Sequence, residues 1–168
     1  MHKSSIRVIT TGAIIAALYF VLAILFAPIS FGPIQFRVSE ALTILPIFTP
    51  AAIPGLFLGC IMANLFGGAG PIDIVFGSLA TLGAALVTHR LRGNIFLAIL
   101  PPIVFNGLIV GYYLSVLFAL PMLITMGQVT LGEAGVLVIL GVPLYYLLIK
   151  VKLPNLLGYQ LNLSKPFK

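Results

Sequence analysis

An all-α membrane protein with six transmembrane helices and both termini in the cytoplasm is the fold class this sequence predicts. Three observations lead there. Of 168 residues, 61% are hydrophobic and only 7% charged, more apolar surface than a soluble domain can hide, so lipid must be part of the solvent. The apolar stretches are continuous rather than alternating and too long for strands, which argues against a transmembrane barrel. Almost all the basic residues fall on one side of the resulting map, in line with the positive-inside bias. The length suits a single domain over residues 1–168.

The first helix is expected from about Ile6 to Ala27. Its apolar stretch is long for a signal peptide and lacks a clear small-residue cleavage site, so it reads as a retained span. A turn-rich outer loop, Pro28 to Gln35, follows. The run 41–72 is long for one helix and short for two. Pro46, Pro50 and Pro54 argue for a break in its first half. Charge decides: two short spans joined by a cytoplasmic turn near Thr49–Ile53 put Lys3, Arg7, Arg90, Arg92, Lys150, Lys152, Lys165 and Lys168 on one side. A fourth span over 74–88 ends at His89, Arg90 and Arg92. The fifth is expected from about Asn94 to Leu117, followed by an outer loop of about Ala119–Gly132. The sixth covers 134–149 and ends at Lys150 and Lys152. The other outer connection is Gly67–Pro71.

The formal net charge of +6 is too scattered for nucleic acid; anionic headgroups beside the spans account for it. The single cysteine, Cys60, lies in an apolar run and reads as packing. No P-loop, metal-ligand cluster or paired histidines occur, so neither enzyme, metal nor cofactor is indicated, and the chain has no means of its own to hydrolyse ATP.

All the acids of the chain, Glu40, Asp73 and Glu133, fall near outer helix starts on this map. A helix start favours a carboxylate by about 0.3–1 kcal/mol, which is the bland explanation for each. Drawn toward the bilayer centre, each would cost about 2.5–3.5 kcal/mol. Taken together, with no other acids, they point to a shared site for a small polar cation. Arg37, three residues before Glu40, is the sole basic residue outside; it either pairs with Glu40 or touches a ligand. Gln35, Ser39, Asn64, Thr81, Asn106 and Gln128 add donors and acceptors, with interhelical hydrogen bonding as the plain alternative. Of Tyr112 and Tyr113, one fits an interfacial belt and the other a stacking role. Small residues repeat at four-residue spacing: Ala13 and Ala17, with Gly12 and Ala16, in the first helix; Gly55, Gly59 and Ala63 in the third; Gly107 and Gly111 in the fifth. The latter two sets read as internal packing, the first as a surface for a partner.

The stretch Phe36-Arg37-Val38-Ser39-Glu40-Ala41-Leu42-Thr43-Ile44-Leu45-Pro46 resembles the QueT family. So do Ile53-Pro54-Gly55-Leu56-Phe57-Leu58-Gly59-Cys60 and Asp73-Ile74-Val75-Phe76-Gly77-Ser78-Leu79-Ala80-Thr81. The resemblance implies a substrate-binding S component of an energy-coupling factor (ECF) transporter, in the plasma membrane of a prokaryote. Such a component binds substrate from outside and docks on a coupling transmembrane protein driven by two ATP-binding subunits. The implied substrate is a queuosine precursor, chiefly 7-aminomethyl-7-deazaguanine. The implied docking positions are Ala13 and Ala17, and Pro28–Gln35 becomes a lid. A carboxylate suits both the aminomethyl cation and the two N–H donors of the guanine-like edge, and an amide suits the ring carbonyl. Glu40 and Glu133, then Asp73, are the expected ligand acids, with Asn106, Asn64, Arg37, Gln35 and Tyr113 beside them; which acid meets which end stays open. The alternatives are another vitamin-like or nucleobase-like substrate, or a self-sufficient homo-oligomeric carrier.

Overall fold

The computed structural model describes residues 2–31, 35–67 and 70–152. These form six helical rods, and among the described residues there is no strand. The first helix spans His2–Leu25 and is followed by a single helical turn, Ala27–Ser30. The second is a 3-10 helix, Val38–Ile47, and the third an α-helix, Ala52–Phe66. The fourth opens through a π-helical turn at Asp73–Gly77 and continues as Ser78–Arg90. The fifth and sixth run Ile95–Leu117 and Met122–Lys150. They carry π turns at Asn106–Val110 and Leu137–Gly141.

Three of these rods, Ser5–Leu25, Ile95–Leu117 and Met122–Lys150, are long and apolar enough to cross a membrane by themselves; Val38–Ile47 and Ala52–Phe66 are shorter apolar helices. The outer faces match: Leu123 is 79% exposed, Leu131 73% and Ile9 71%. So much exposed hydrocarbon requires lipid as its partner. This is an all-α, multi-pass membrane protein.

The break expected inside 41–72 is present: the second helix ends at Ile47 and the third starts at Ala52. The 3-10 winding explains how so short a segment reaches across the bundle. At about 2.0 Å per residue it is longer than an α-helix of the same length. From Ser39 to Ile47 every residue of this helix is buried, the polar Ser39, Glu40 and Thr43 included. It is the central post of the fold. Thr43 Oγ1 donates to the Glu40 carbonyl at 2.6 Å, and the Pro46 carbonyl lies 2.6 Å from His89 Nδ1.

Small residues set the closest contacts. A Cβ on Gly55 would lie 2.6 Å from the Gly12 carbonyl oxygen, and one on Gly59 2.8 Å from that of Ala16. The pairing of positions 12 with 55 and 16 with 59 makes the first and third helices parallel. Gly107 faces Thr130 and Gly111 faces Met126, so the fifth and sixth are antiparallel. Asn64 reaches Asp73 while Cys60 meets Thr81, so the third and fourth are antiparallel too. The rods therefore alternate in direction. Arg7, Arg90, Arg92 and Lys150 gather at one end of the bundle, and Arg37 and Asp73 lie toward the other. Lys165 and Lys168 lie outside the described residues, as do Gly32–Ile34 of the expected lid and residues 68–69 of the connection at Gly67–Pro71.

One expected boundary is corrected. The outer loop placed at Ala119–Gly132 is mostly helix, because the sixth helix begins at Met122, directly after Pro121 at its N-cap. Gly127 and Gly132 do not break it: a glycine inside a helix costs about 1 kcal/mol, which burial and packing outweigh. Glu133 consequently sits about three turns inside a long helix rather than at its start. The helix-end explanation does not apply to it.

Candidate functional site

Arg37 is the centre of a buried polar cluster. It precedes the second helix, is 5% exposed, and its guanidinium carbon lies 5.2 Å above the centre of the Phe31 ring, within range of a cation–π contact. Its backbone N–H donates to the Gln35 carbonyl at 2.8 Å; Gln35 takes the left-handed conformation with φ 49°, so it serves here through its backbone. Arg37 Nη1 is 3.9 Å from Glu40 Oε1, and Nη2 is 3.6 Å from Asp73 Oδ2. Both distances are ion pairs beyond good hydrogen-bond length.

Each acid is held from a second side by a tyrosine. The Tyr19 hydroxyl, from the first helix, donates to Glu40 Oε1, and the Tyr113 hydroxyl, from the fifth, donates to Asp73 Oδ1. Asn64 Nδ2 donates to the Asp73 carbonyl at 2.9 Å. Gly77, closing the π turn, leaves room for this convergence: a Cβ there would lie 2.6 Å from Asp73 Oδ1 and 3.2 Å from both Asn64 Nδ2 and the Tyr113 hydroxyl.

Cys60 lies in the buried apolar core, as expected, and also borders this cluster. Its Sγ accepts from Thr81 Oγ1 at 3.4 Å, Asn64 Nδ2 at 3.5 Å and Arg37 Nη1 at 3.8 Å. Tyr19 was not singled out from the sequence. Its signal was available, since it is a lone hydroxyl-bearing aromatic in an apolar helix, on the stripe that Gly12 and Ala16 share.

Glu133 is 3% exposed, with the Asn106 side chain of the fifth helix beside it. Asn106 is the first residue of the π turn in the fifth helix and is 6% exposed. Several buried polar atoms of these side chains have no hydrogen-bond partner: Arg37 Nε and Nη2 and Asp73 Oδ2 (the last two ion-paired at 3.6 Å), Glu40 Oε2, Asn64 Oδ1, Asn106 Nδ2 and Glu133 Oε1. Leaving one such group unmade costs about 1–3 kcal/mol, more when it is charged. Native structures seldom tolerate several in one place without a function. Donors and acceptors are both present, so the arrangement can hold a small molecule that carries both. The π turns in the fourth and fifth helices open at Asp73 and Asn106, fitting the frequent occurrence of such turns at functional sites.

The tyrosine pair divides as expected by exposure. Tyr112 is 54% exposed toward lipid, and Tyr113 is buried, though it bonds a carboxylate instead of presenting a free ring. Gln128 is partly buried on the sixth helix, and Ser39 is wholly buried on the second. The small residues of the first helix also split. Gly12 and Ala16 pack inward against Gly55 and Gly59, so they are taken up within the chain, whereas Ala13 and Ala17 face outward.

An apolar helical bundle enclosing a buried ionic cluster defines the class as multi-pass, all-α membrane proteins. The family comparison is more specific: the model of the QueT transporter family matches residues 9–150, and the chain belongs to that family. A relative named "Queuosine precursor transporter QueT", from Lactococcus lactis subsp. cremoris (strain MG1363), is 40% identical over 84 residues, 49% of this chain and 49% of the relative. The aligned stretch thus spans about half the length of that relative. No solved structure matches the chain.

Proposed function

We propose that this protein is the S component of an ECF importer and captures 7-aminomethyl-7-deazaguanine from outside the cell for ATP-driven uptake. The observation that carries the reading is the set of buried, unpartnered carboxylate and amide atoms around Arg37 and Glu133. A ligand with an ammonium group, two ring-edge N–H donors and a carbonyl offers counterparts to them. The name of the Lactococcus relative points to the same class of substrate. A partner surface is also in keeping with the reading, because Ala13 and Ala17 stay exposed on the first helix. On this reading the coupling transmembrane protein and two ATP-binding subunits are separate chains, and the end bearing Arg7, Arg90 and Lys150 faces the cytoplasm.

The test is thermal unfolding of the purified protein titrated with 7-aminomethyl-7-deazaguanine, its nitrile analogue and guanine. The amine should raise the unfolding temperature most; at about 1,000 times Kd the stabilisation is about 4 kcal/mol. No shift with any deazaguanine would remove the substrate assignment. Concentrative uptake by the purified chain alone in vesicles would remove the S-component assignment and leave a self-sufficient carrier.

A further inference from the structure

We propose that Tyr19 is a positioning residue of the binding site: its hydroxyl holds Glu40 by Oε1 and leaves Oε2 free to meet the ligand. The proposal rests on the deazaguanine reading above and deepens it by adding a residue of the first helix to the site.

The two acids beside Arg37 are held differently. Asp73 divides its partners between its oxygens: Tyr113 donates to Oδ1, and Arg37 Nη2 lies 3.6 Å from Oδ2. Glu40 receives both partners on one oxygen. The Tyr19 hydroxyl donates to Oε1, and Arg37 Nη1 lies 3.9 Å from the same atom. Oε2 is buried with no hydrogen-bond partner. Of these two acids, Glu40 is therefore the one with an oxygen unengaged.

Tyr19 does most of the holding. An ion pair at 3.9 Å constrains distance but hardly direction, whereas a hydrogen bond to a carboxylate fixes both. Among the described residues, the bond from Tyr19 is the one hydrogen bond to the Glu40 side chain. The Glu40 backbone is anchored separately, because Thr43 Oγ1 donates to its carbonyl at 2.6 Å. The Tyr19 ring has little room to follow a moving carboxylate. It is fully buried in the apolar core with Ile44 and Leu56, and its Cβ stands 2.8 Å from where a Cβ on Gly59 would lie. A buried phenol needs an acceptor, but a backbone carbonyl would serve. Burying a carboxylate for that purpose alone costs more than the bond returns. The empty oxygen of Glu40 thus indicates a second use for the acid, and the tyrosine sets where that oxygen stands.

The test uses the whole protein. The chain has two glutamates, Glu40 and Glu133. Glutamate labelled with carbon-13 at the side-chain carboxyl therefore gives two carboxylate resonances, and Glu40→Gln identifies which is which. In the unmodified protein, 7-aminomethyl-7-deazaguanine should move the Glu40 resonance. Tyr19→Phe keeps the ring and removes the hydroxyl. It should weaken binding about 10- to 100-fold, shift the Glu40 resonance of the empty protein, and leave that of Glu133 in place. Affinity within about twofold of the unmodified protein would reduce Tyr19 to packing and overturn the proposal. So would weaker binding with an unmoved Glu40 resonance, or equal displacement of both resonances, which marks a general disturbance. Should Tyr19→Phe fail to fold, the titration of the unmodified protein still decides: a Glu40 resonance that the ligand leaves in place overturns the proposal. If the unmodified protein does not bind the amine, the deazaguanine reading has failed and takes this one with it. If it binds and Tyr19→Phe binds equally well, only the positioning role has failed.

Discussion

The seam between the first and third helices and the interior between the second, fourth, fifth and sixth are built on opposite terms. In the seam, Gly55 and Gly59 bring backbones together so closely that a Cβ would lie 2.6–2.8 Å from a carbonyl oxygen. Apolar contact fills the space, and Phe20 meets Phe66 edge-on at 5.5 Å. In the interior, four charged side chains (Arg37, Glu40, Asp73 and Glu133) and two amides are buried with acceptors and donors unmatched. The seam has what a stable helix pair needs. The interior holds back bonds that a solute would complete. Tyr19 joins the two, since it packs beside Gly59 and bonds Glu40. The lesson is that rigidity on one side of this bundle supports an unsatisfied constellation on the other.

Five substitutions probe that contrast. The largest effect is expected from Arg37→Met, which strands two buried carboxylates. The loss of stability should be about 3–5 kcal/mol, read from unfolding in detergent; a neutral result would mean that water already reaches the acids. Gly59→Leu should come next, at about 1–3 kcal/mol, because the clash is with the backbone and with the Tyr19 Cβ and cannot be relieved by a rotamer change. Gly77→Ala puts a methyl near Asp73 Oδ1, a side-chain end that can shift. Stability should then fall by less than about 1 kcal/mol, while ligand affinity drops more than it does in Gly59→Leu; equal effects would erase the distinction between the two regions. Smallest in stability are Ala13→Phe and Ala17→Phe, within about 0.5 kcal/mol on an exposed face. These should leave ligand affinity unchanged and reduce uptake when the ATP-driven module is present. Normal uptake would remove the docking assignment.

Much of this was legible in the chain itself. Continuous apolar runs gave the helical membrane class, and prolines at 46, 50 and 54 marked the break between the second and third helices. The scarcity of acids made each one conspicuous. Other features were not legible, for reasons specific to particular residues. The sixth helix was cut short because Gly127 and Gly132 resemble loop punctuation, whereas packing against the fifth helix and lipid tolerates both. The 3-10 winding of Val38–Ile47 has no reliable local signature, since the same residues suit an α-helix. The polar neighbours of Cys60 were not legible either, because Arg37 and Thr81 are distant from it in sequence.

By itself, the sequence determined that this protein lives in lipid, that its spans are helical, and which few side chains bear charge. Hydropathy and charge are properties of each residue and its neighbours along the chain, so no fold is needed to read them. Only the tertiary structure decided that Arg37 stands between Glu40 and Asp73, that a tyrosine holds each acid, and that Glu133 lies deep in a helix. Those relations join residues many turns apart, and they follow from which helix faces meet once glycines have let the backbones close.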